Sequence, residues 1–287
     1  MNQQQIILNS NNAVPNSRNC KYSYTFSQPM ELKDKCIAVH SIQLYYSWYN
    51  ISSLLYNNNT FQYKWFNNTN GLCDAIFTVN IPSGNYSFDD ISLYLQAYME
   101  AQGHYITETG GTKTFFIRFT VNPTFYACEL TLSVMKTTLT TGQTKPSGWM
   151  MPTTMQTPVL IIPSTSKFGD LIGFKSGSYP SSIQSLTSVN LSNKVPVISP
   201  VTSLIVRSNV VFNKMMTPNN IICSLTQGNI KYGDIVNYQP NNLNFSAISN
   251  GTYNNVDIEF FDQNYSQALD IIDPDVLIIL VIKDIEK

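Results

Sequence analysis

Period-two alternation of apolar and polar residues recurs along this 287-residue chain, and it restricts the fold more than any other feature. Successive strand residues face opposite ways, so such a run is a strand with one face in a core and the other toward solvent or a partner. Over 41–48, Ile42, Leu44, Tyr46 and Trp48 share one face against Ser41, Gln43, Tyr45 and Ser47. The inward set is Phe115, Ile117, Phe119 and Val121 in one run, and Cys128, Leu130, Leu132 and Val134 in the next. Leu204, Val206, Val210 and Phe212 repeat the pattern, as do Val256, Ile258 and Phe260 around Asp257 and Glu259. Shorter strands are predicted over 21–27, 59–66, 75–81, 104–109 and 221–226. The unalternated VLIILVI over 276–282 reads as a central strand covered on both faces. Thr109-Gly110-Gly111-Thr112 predicts a hairpin with a type I′ turn, because two glycines supply positive φ.

One helix is predicted over 88–101, with Ser87 as N-cap, Asp90 completing a capping box, and Ile91, Leu95, Tyr98 and Met99 as its apolar stripe. Residues 138–200 break the rhythm with Thr, Ser and Pro, leaving a short strand at 158–162 and a turn or helix at 168–174. They read as long connections or a small insertion. About eleven strands without βαβ alternation select an all-β sandwich or barrel, and a jelly roll accommodates long connections at one end.

Charged residues make up only 12% of the chain, against about 25% in soluble domains. The exposed surface is therefore mostly neutral and polar, which costs little to desolvate against neighbours and suits an assembly subunit better than a freely diffusing enzyme. A net charge of -1 without a basic run gives no footprint for nucleic acid. The single cysteines Cys20, Cys36, Cys73, Cys128 and Cys223 fit neither a zinc site nor a full disulfide framework, and read as free thiols in a core. The first residues show no secretory signal, and no apolar run approaches the ~20 residues of a membrane-spanning helix, so synthesis in the cytosol is expected. On that expectation the Asn-x-Ser/Thr triplets at Asn50, Asn85, Asn190 and Asn264 are not glycosylated.

Chemistry is sparse. The two histidines are His40, expected to be a hydrogen-bonded structural residue, and His104, which fits a charge at a helix C-terminus. Nucleophile-elbow and phosphate-loop motifs are absent. Asp257, Glu259, Asp262, Asp270, Asp273 and Asp275 gather near the C-terminus, where paired carboxylates could hydrolyse glycosides or hold calcium. Asp257 and Glu259 alternate with apolar residues, however, which favours an outward strand face, and Asp273-Pro274-Asp275 reads as a turn. No catalytic residue, metal ligand or cofactor is expected. The 17 Tyr and 3 Trp would serve sugar stacking or protein contacts, and Trp149, Met150 and Met151 in SGWMMP read as an apolar loop tip that docks on a partner.

The segments SIQLYYSWYNIS (41–52), NNNTFQYKW (57–65), IPSGNYSFDDISLYLQAYME (81–100), FGDLIGF (168–174) followed by Ser178-Tyr179-Pro180, SLIVRSNVV (203–211) and VDIEFFDQNYSQALDI before the last apolar run occur in an order that resembles the penton, or minor capsid, proteins of virophages and polinton-like elements. The resemblance implies an antiparallel single jelly-roll β-sandwich, with one short helix and a small insertion, that forms homopentamers at the five-fold vertices of an icosahedral virion. A longer double jelly-roll major capsid protein would be its partner in the shell. On this reading residues 1–18 are an N-terminal arm, with Ile6, Ile7 and Leu8 reaching a neighbour, and 19–287 are the jelly-roll domain. The alternatives are a receptor- or glycan-binding β-sandwich on a virion surface, and a β-sandwich hydrolase using Asp257 and Glu259.

Overall fold

The alternating segments become strands in the computed structural model of the chain, which describes residues 3–228, 230–265 and 268–285. In chain order the first elements are β1 (Gln4–Asn9), β2 (Lys21–Leu32), β3 (Lys35–Tyr45), β4 (Thr60–Phe66), β5 (Cys73–Asn80), α1 (Phe88–Ala101), β6 (Ile106–Thr107), β7 (Lys113–Thr114), β8 (Ile117–Asn122) and β9 (Ala127–Leu132). There follow β10 (Val159–Ile162), α2 (Phe168–Ile172), β11 (Gly177–Tyr179), β12 (Ser188–Leu191), β13 (Ser203–Ser208), β14 (Ile221–Thr226), β15 (Ile235–Tyr238), β16 (Ser246–Ala247), β17 (Gly251–Asp262) and β18 (Val276–Asp284). They divide into two units, 1–48 with 201–287, and 49–200.

The first unit has two antiparallel sheets, ordered β1-β18-β3-β15, with β16 also on β3, and β14-β13-β17-β2. Counting only this unit's strands, with β15 and β16 as one, the sheets read first–eighth–third–sixth and second–seventh–fourth–fifth. That is the order of a single jelly roll, two interlocked Greek keys. The inward faces meet in a core that includes Leu8, Tyr22, Ile42, Val206, Ile258 and Ile278.

Two breaks in the alternation have physical causes. In β3 the inward set passes from Ile37 and Val39 to Ile42 and Leu44, so the phase flips. The register against β18 shifts there too, Leu280 lying opposite Val39 and Ile279 opposite Ser41, which leaves His40 as the extra residue of a bulge. In β2, Pro29 has no N–H to donate and lies where pairing with β17 lapses between Met30 and Thr25. The run over 276–282 is central, between β1 and β3, as predicted, but it is not covered on both faces throughout, since Leu277 and Ile279 are only half-buried on the outer one.

The second unit, inserted between β3 and β13 in the chain, has its own core. Its sheets are β11-β10-β4-β5 and β12-β9-β8, with a two-stranded β6-β7 hairpin. Phe61, Tyr63 and Trp65 of β4 are fully buried among Phe119, Leu130, Leu160 and Phe168. Helix α1 starts at the predicted capping box, the Ser87 side chain accepting from the Asp90 amide, and buries Phe88, Ile91, Leu95 and Met99. Ser92 ties it to β8, its hydroxyl donating to Phe119 O and accepting from Phe119 N, both at 2.7 Å. Gly173, at φ 76, ends α2 in a left-handed turn closed by Phe174 N–H donating to Gly169 O at 2.8 Å.

Three expectations are corrected. Residues 4–9 are not an arm: β1 pairs with β18 from Gln4 opposite Ile282 to Asn9 opposite Leu277, burying Ile6 and Leu8 in the jelly-roll core. Met1 and Asn2 lie outside the described residues. The chain does not form one domain over 19–287 with an insertion at 138–200. The second unit begins at 49, because the inward sets of β4, β8, β9 and α1 close on one another rather than on the jelly roll. The 109–112 hairpin exists, but only Gly111 has positive φ, and Gly111 N–H donates to Glu108 O at 2.8 Å. A turn followed by one left-handed glycine replaces type I′, which needs positive φ at both central residues.

Candidate functional site

The carboxylates of β17 point outward, as their alternation predicts, and lie opposite β2 with Asp257 facing Ser23 and Glu259 facing Lys21. The Lys21 ammonium reaches Glu259 at 2.8 Å and Asp257 at 3.0 Å. Ser23 donates to Asp257 at 2.6 Å, Asn255 also donates to it, and the Asp257 amide donates to Asn209 at 2.8 Å. The hydrogen bond to Glu259, followed by that to Asp257, holds the Lys21 pKa above the usual lysine range. One lysine bridges both acids on an open sheet face. Glycoside hydrolysis instead needs a carboxyl kept protonated beside its ionised partner. Asp273 accepts from the Asp275 amide at 2.9 Å in the expected turn. Among the described residues no three His, Cys, Asp or Glu side chains come together as a metal site.

Neither histidine matches its expectation. His104 is buried, stacked on Trp65 with ring centroids 5.0 Å apart, and its Nδ1 lies 2.7 Å from the Tyr63 hydroxyl. Desolvation lowers its pKa to about 4, so it is neutral at pH 7 and supplies no positive charge to the end of α1. His40, the bulged residue of β3, has a buried Nδ1 that finds no hydrogen-bond partner among the described residues, where a bonded nitrogen is expected. None of the five cysteines forms a disulfide. Burial pushes Cys73, Cys128 and Cys223 up to about 12, which keeps them as protonated thiols rather than nucleophiles.

The residues expected to contact a partner are divided. Trp149 is not a loop tip but a core residue packed on Trp65 and Phe66; its indole N–H donates to Gly103 O at 2.9 Å, and the Lys145 ammonium lies 4.6 Å from its ring centroid. The reason is energetic: an indole with a partner for its N–H gains more from burial than from display. Ile6 and Leu8 are buried in their own unit, whereas Ile7 and Met150 are exposed and Met151 is half-buried.

The alternation did not reveal how the two outer faces of the jelly roll differ. On β17, β2 and β13 the outer face carries Lys21, Asp257, Glu259 and Arg207. On β1, β18, β3 and β15 the cross-strand rows Ile7–Ile279–Ser41 and Asn9–Leu277–Gln43–Asn237 hold no charged residue, whereas farther along the same face Val281 and Ala38 are buried and Lys283, opposite Cys36, lies 4.3 Å from the Phe245 ring centroid. Asp275, Lys283 and the Lys35–Asp284 pair stand toward its ends. A cavity of about 250 Å³ opens at one end between Gln43, Tyr45, Ile235 and Leu277. The signal lies in outward residues of β1 and β18 that are themselves apolar, a pattern that in β1 reads as an arm.

No helix among the described residues is long and apolar enough to cross a membrane. No family model matches the chain, and no curated protein does. Among solved structures the chain is similar to the penton protein of mavirus, at 11% identity and a TM-score of 0.45 over 98% of this chain and 97% of that one. It is also similar to a chain of the Sputnik virophage, at 10% identity and a TM-score of 0.40 over 99% and 98% of the two chains.

Proposed function

We propose that this chain is a structural capsid protein, not an enzyme, which assembles as a homopentamer at the five-fold vertices of an icosahedral virion beside a double jelly-roll major capsid protein. The reading rests on the ordered penton-like segments of the sequence and on the jelly-roll strand order. The observation that carries it is the uncharged middle of the outer face of β1, β18, β3 and β15, whose rows hold Ile7, Leu277 and Ile279. Such a face is cheap to strip of water, and copies related by rotation can close a ring through unlike surfaces without any self-complementary patch.

The test is the mass of the native particle. A species of five times 32.4 kDa that incorporates into shells with a major capsid protein is expected. A monomer or trimer that binds glycans would overturn the vertex reading in favour of a receptor-binding sandwich.

A further inference from the structure

Helix α1 buries Phe88, Ile91, Leu95 and Met99, and the flank beside that stripe carries Asp89, Ser92, Leu93 and Gln96 at the i, i+3, i+4 and i+7 spacing of one helix face. That flank is one wall of a cavity of about 540 Å³, and the other wall is Lys113 of β7, Phe115 and Arg118 of β8. The volume lies within the roughly 300–1,000 Å³ of small-molecule sites. Phe115, assigned inward by the alternation, is half-buried and lines this cavity, while Phe116 takes a core position. Buried Ser92 fixes the two walls together, because its hydroxyl bonds both backbone groups of Phe119.

The polar groups of the cavity differ in what they offer. Arg118 supplies only donors, Asp89 only acceptors and Gln96 both, and among the described residues none of these three side chains has an ion-pair or hydrogen-bond partner. Lys113 donates to Glu100 and is neutralised by it. With Asp89 against Arg118 and Glu100 against Lys113 the charges cancel, so neither an anion nor a cation is favoured. The complementary ligand is neutral, donates and accepts at adjacent atoms, and has an apolar face for Phe115 and exposed Leu93. A pyranose meets all three needs: each of its vicinal hydroxyls both donates and accepts, and the C–H face of its ring packs on an aromatic side chain.

We infer that this cavity binds a neutral saccharide, with Arg118, Gln96 and Asp89 holding its hydroxyls and Phe115 its ring face. Attachment to a glycan is then a function of the second unit beyond any place in a shell. The site lies wholly within that unit and does not depend on ring formation.

Saturation-transfer difference NMR on the full chain tests this with the methyl glycosides of galactose, glucose, mannose and N-acetylglucosamine, and with methyl glucuronide as an acidic comparison. At least one neutral glycoside is expected to bind with a dissociation constant on the order of 1 mM, and Arg118→Ala and Gln96→Ala should each weaken it roughly tenfold. Lys175→Ala, at an exposed position of the same unit, should leave it unchanged. No transfer to any neutral glycoside, binding of the glucuronide alone, or full binding by both alanine variants overturns the inference. If a variant unfolds, as circular dichroism would show, a diazirine-bearing form of the bound glycoside decides on wild type: label within 89–96 or 113–118 upholds the site, and label elsewhere overturns it. Native mass measured alongside separates the two readings. A pentamer that binds no glycoside overturns this site alone, whereas a monomer or trimer that binds one through Arg118 upholds the site and overturns the vertex reading.

Discussion

His104 shows how one buried ring sets a pH limit. It lies among Trp65, Phe77 and Tyr63, and its only resolved influence is desolvation, which lowers its pKa from 6.5 to about 4. The unfolded chain takes up a proton below pH 6.5 and the folded chain not until about 4, so the unfolded state binds more protons between these values. Stability present above pH 6.5 is therefore lost as pH falls through that window, by up to about 3 kcal/mol. Urea midpoints at pH 7 and 4.5 should show the loss, and His104→Phe should shrink it at the cost of leaving the Tyr63 hydroxyl without its partner. An undiminished pH slope in that variant would assign the effect to other groups.

At the scale of elements, α1 depends on two hydroxyls of different worth. Ser92 is buried and satisfies both backbone groups of Phe119, so Ser92→Ala should cost about 2 kcal/mol in chemical denaturation, against about 1 kcal/mol for the exposed cap Ser87→Ala. Equal losses would deny the Ser92 link its role. Strand β1 makes a stronger prediction. Leu8→Ala should cost about 2–5 kcal/mol, and removal of residues 1–10 should bare the β18 edge and cause aggregation, seen by light scattering, rather than merely weaken assembly. The sequence made β3, β4, β9, β14, β17, β18 and the α1 cap legible because period and capping chemistry are local. It hid β1, since only Ile6 and Leu8 separated by Ile7 mark it, a pattern as apolar as a loose tail. It also hid the four-residue β12 and three-residue β11, which are too short to show a period and are made by pairing with β9 and β10.

For the whole molecule, the sequence conveyed sheet and sandwich but not how strands share out between two cores. The inward sets of β3 and β4 look alike, and only packing assigns Ile42 to one core and Tyr63 to the other. The contact residues were equally illegible: Trp149 resembles a docking residue until Gly103 O and the Trp65 ring are found beside it. A surface role belongs to side chains like Ile7, half of whose area meets solvent. Ile7→Lys should change the melting of the isolated chain little, within about 0.5 kcal/mol, and weaken ring formation in native mass spectra. Rings as stable as wild type would move the subunit contact off that sheet.

The placement of β18 between β1 and β3 also sets a timetable for synthesis. Residues 49–200 are contiguous and can fold as they emerge, but the strands on either side of β18 must wait for it until the rest of the chain is translated. At ribosomal speed that is roughly 10–60 s during which Ile6, Leu8, Ile37 and Ile42 stand open to whatever is nearby. Nascent copies on one polysome thus meet while half a sandwich is still missing its middle slat, and yield in a recombinant host should respond to translation rate and chaperone supply.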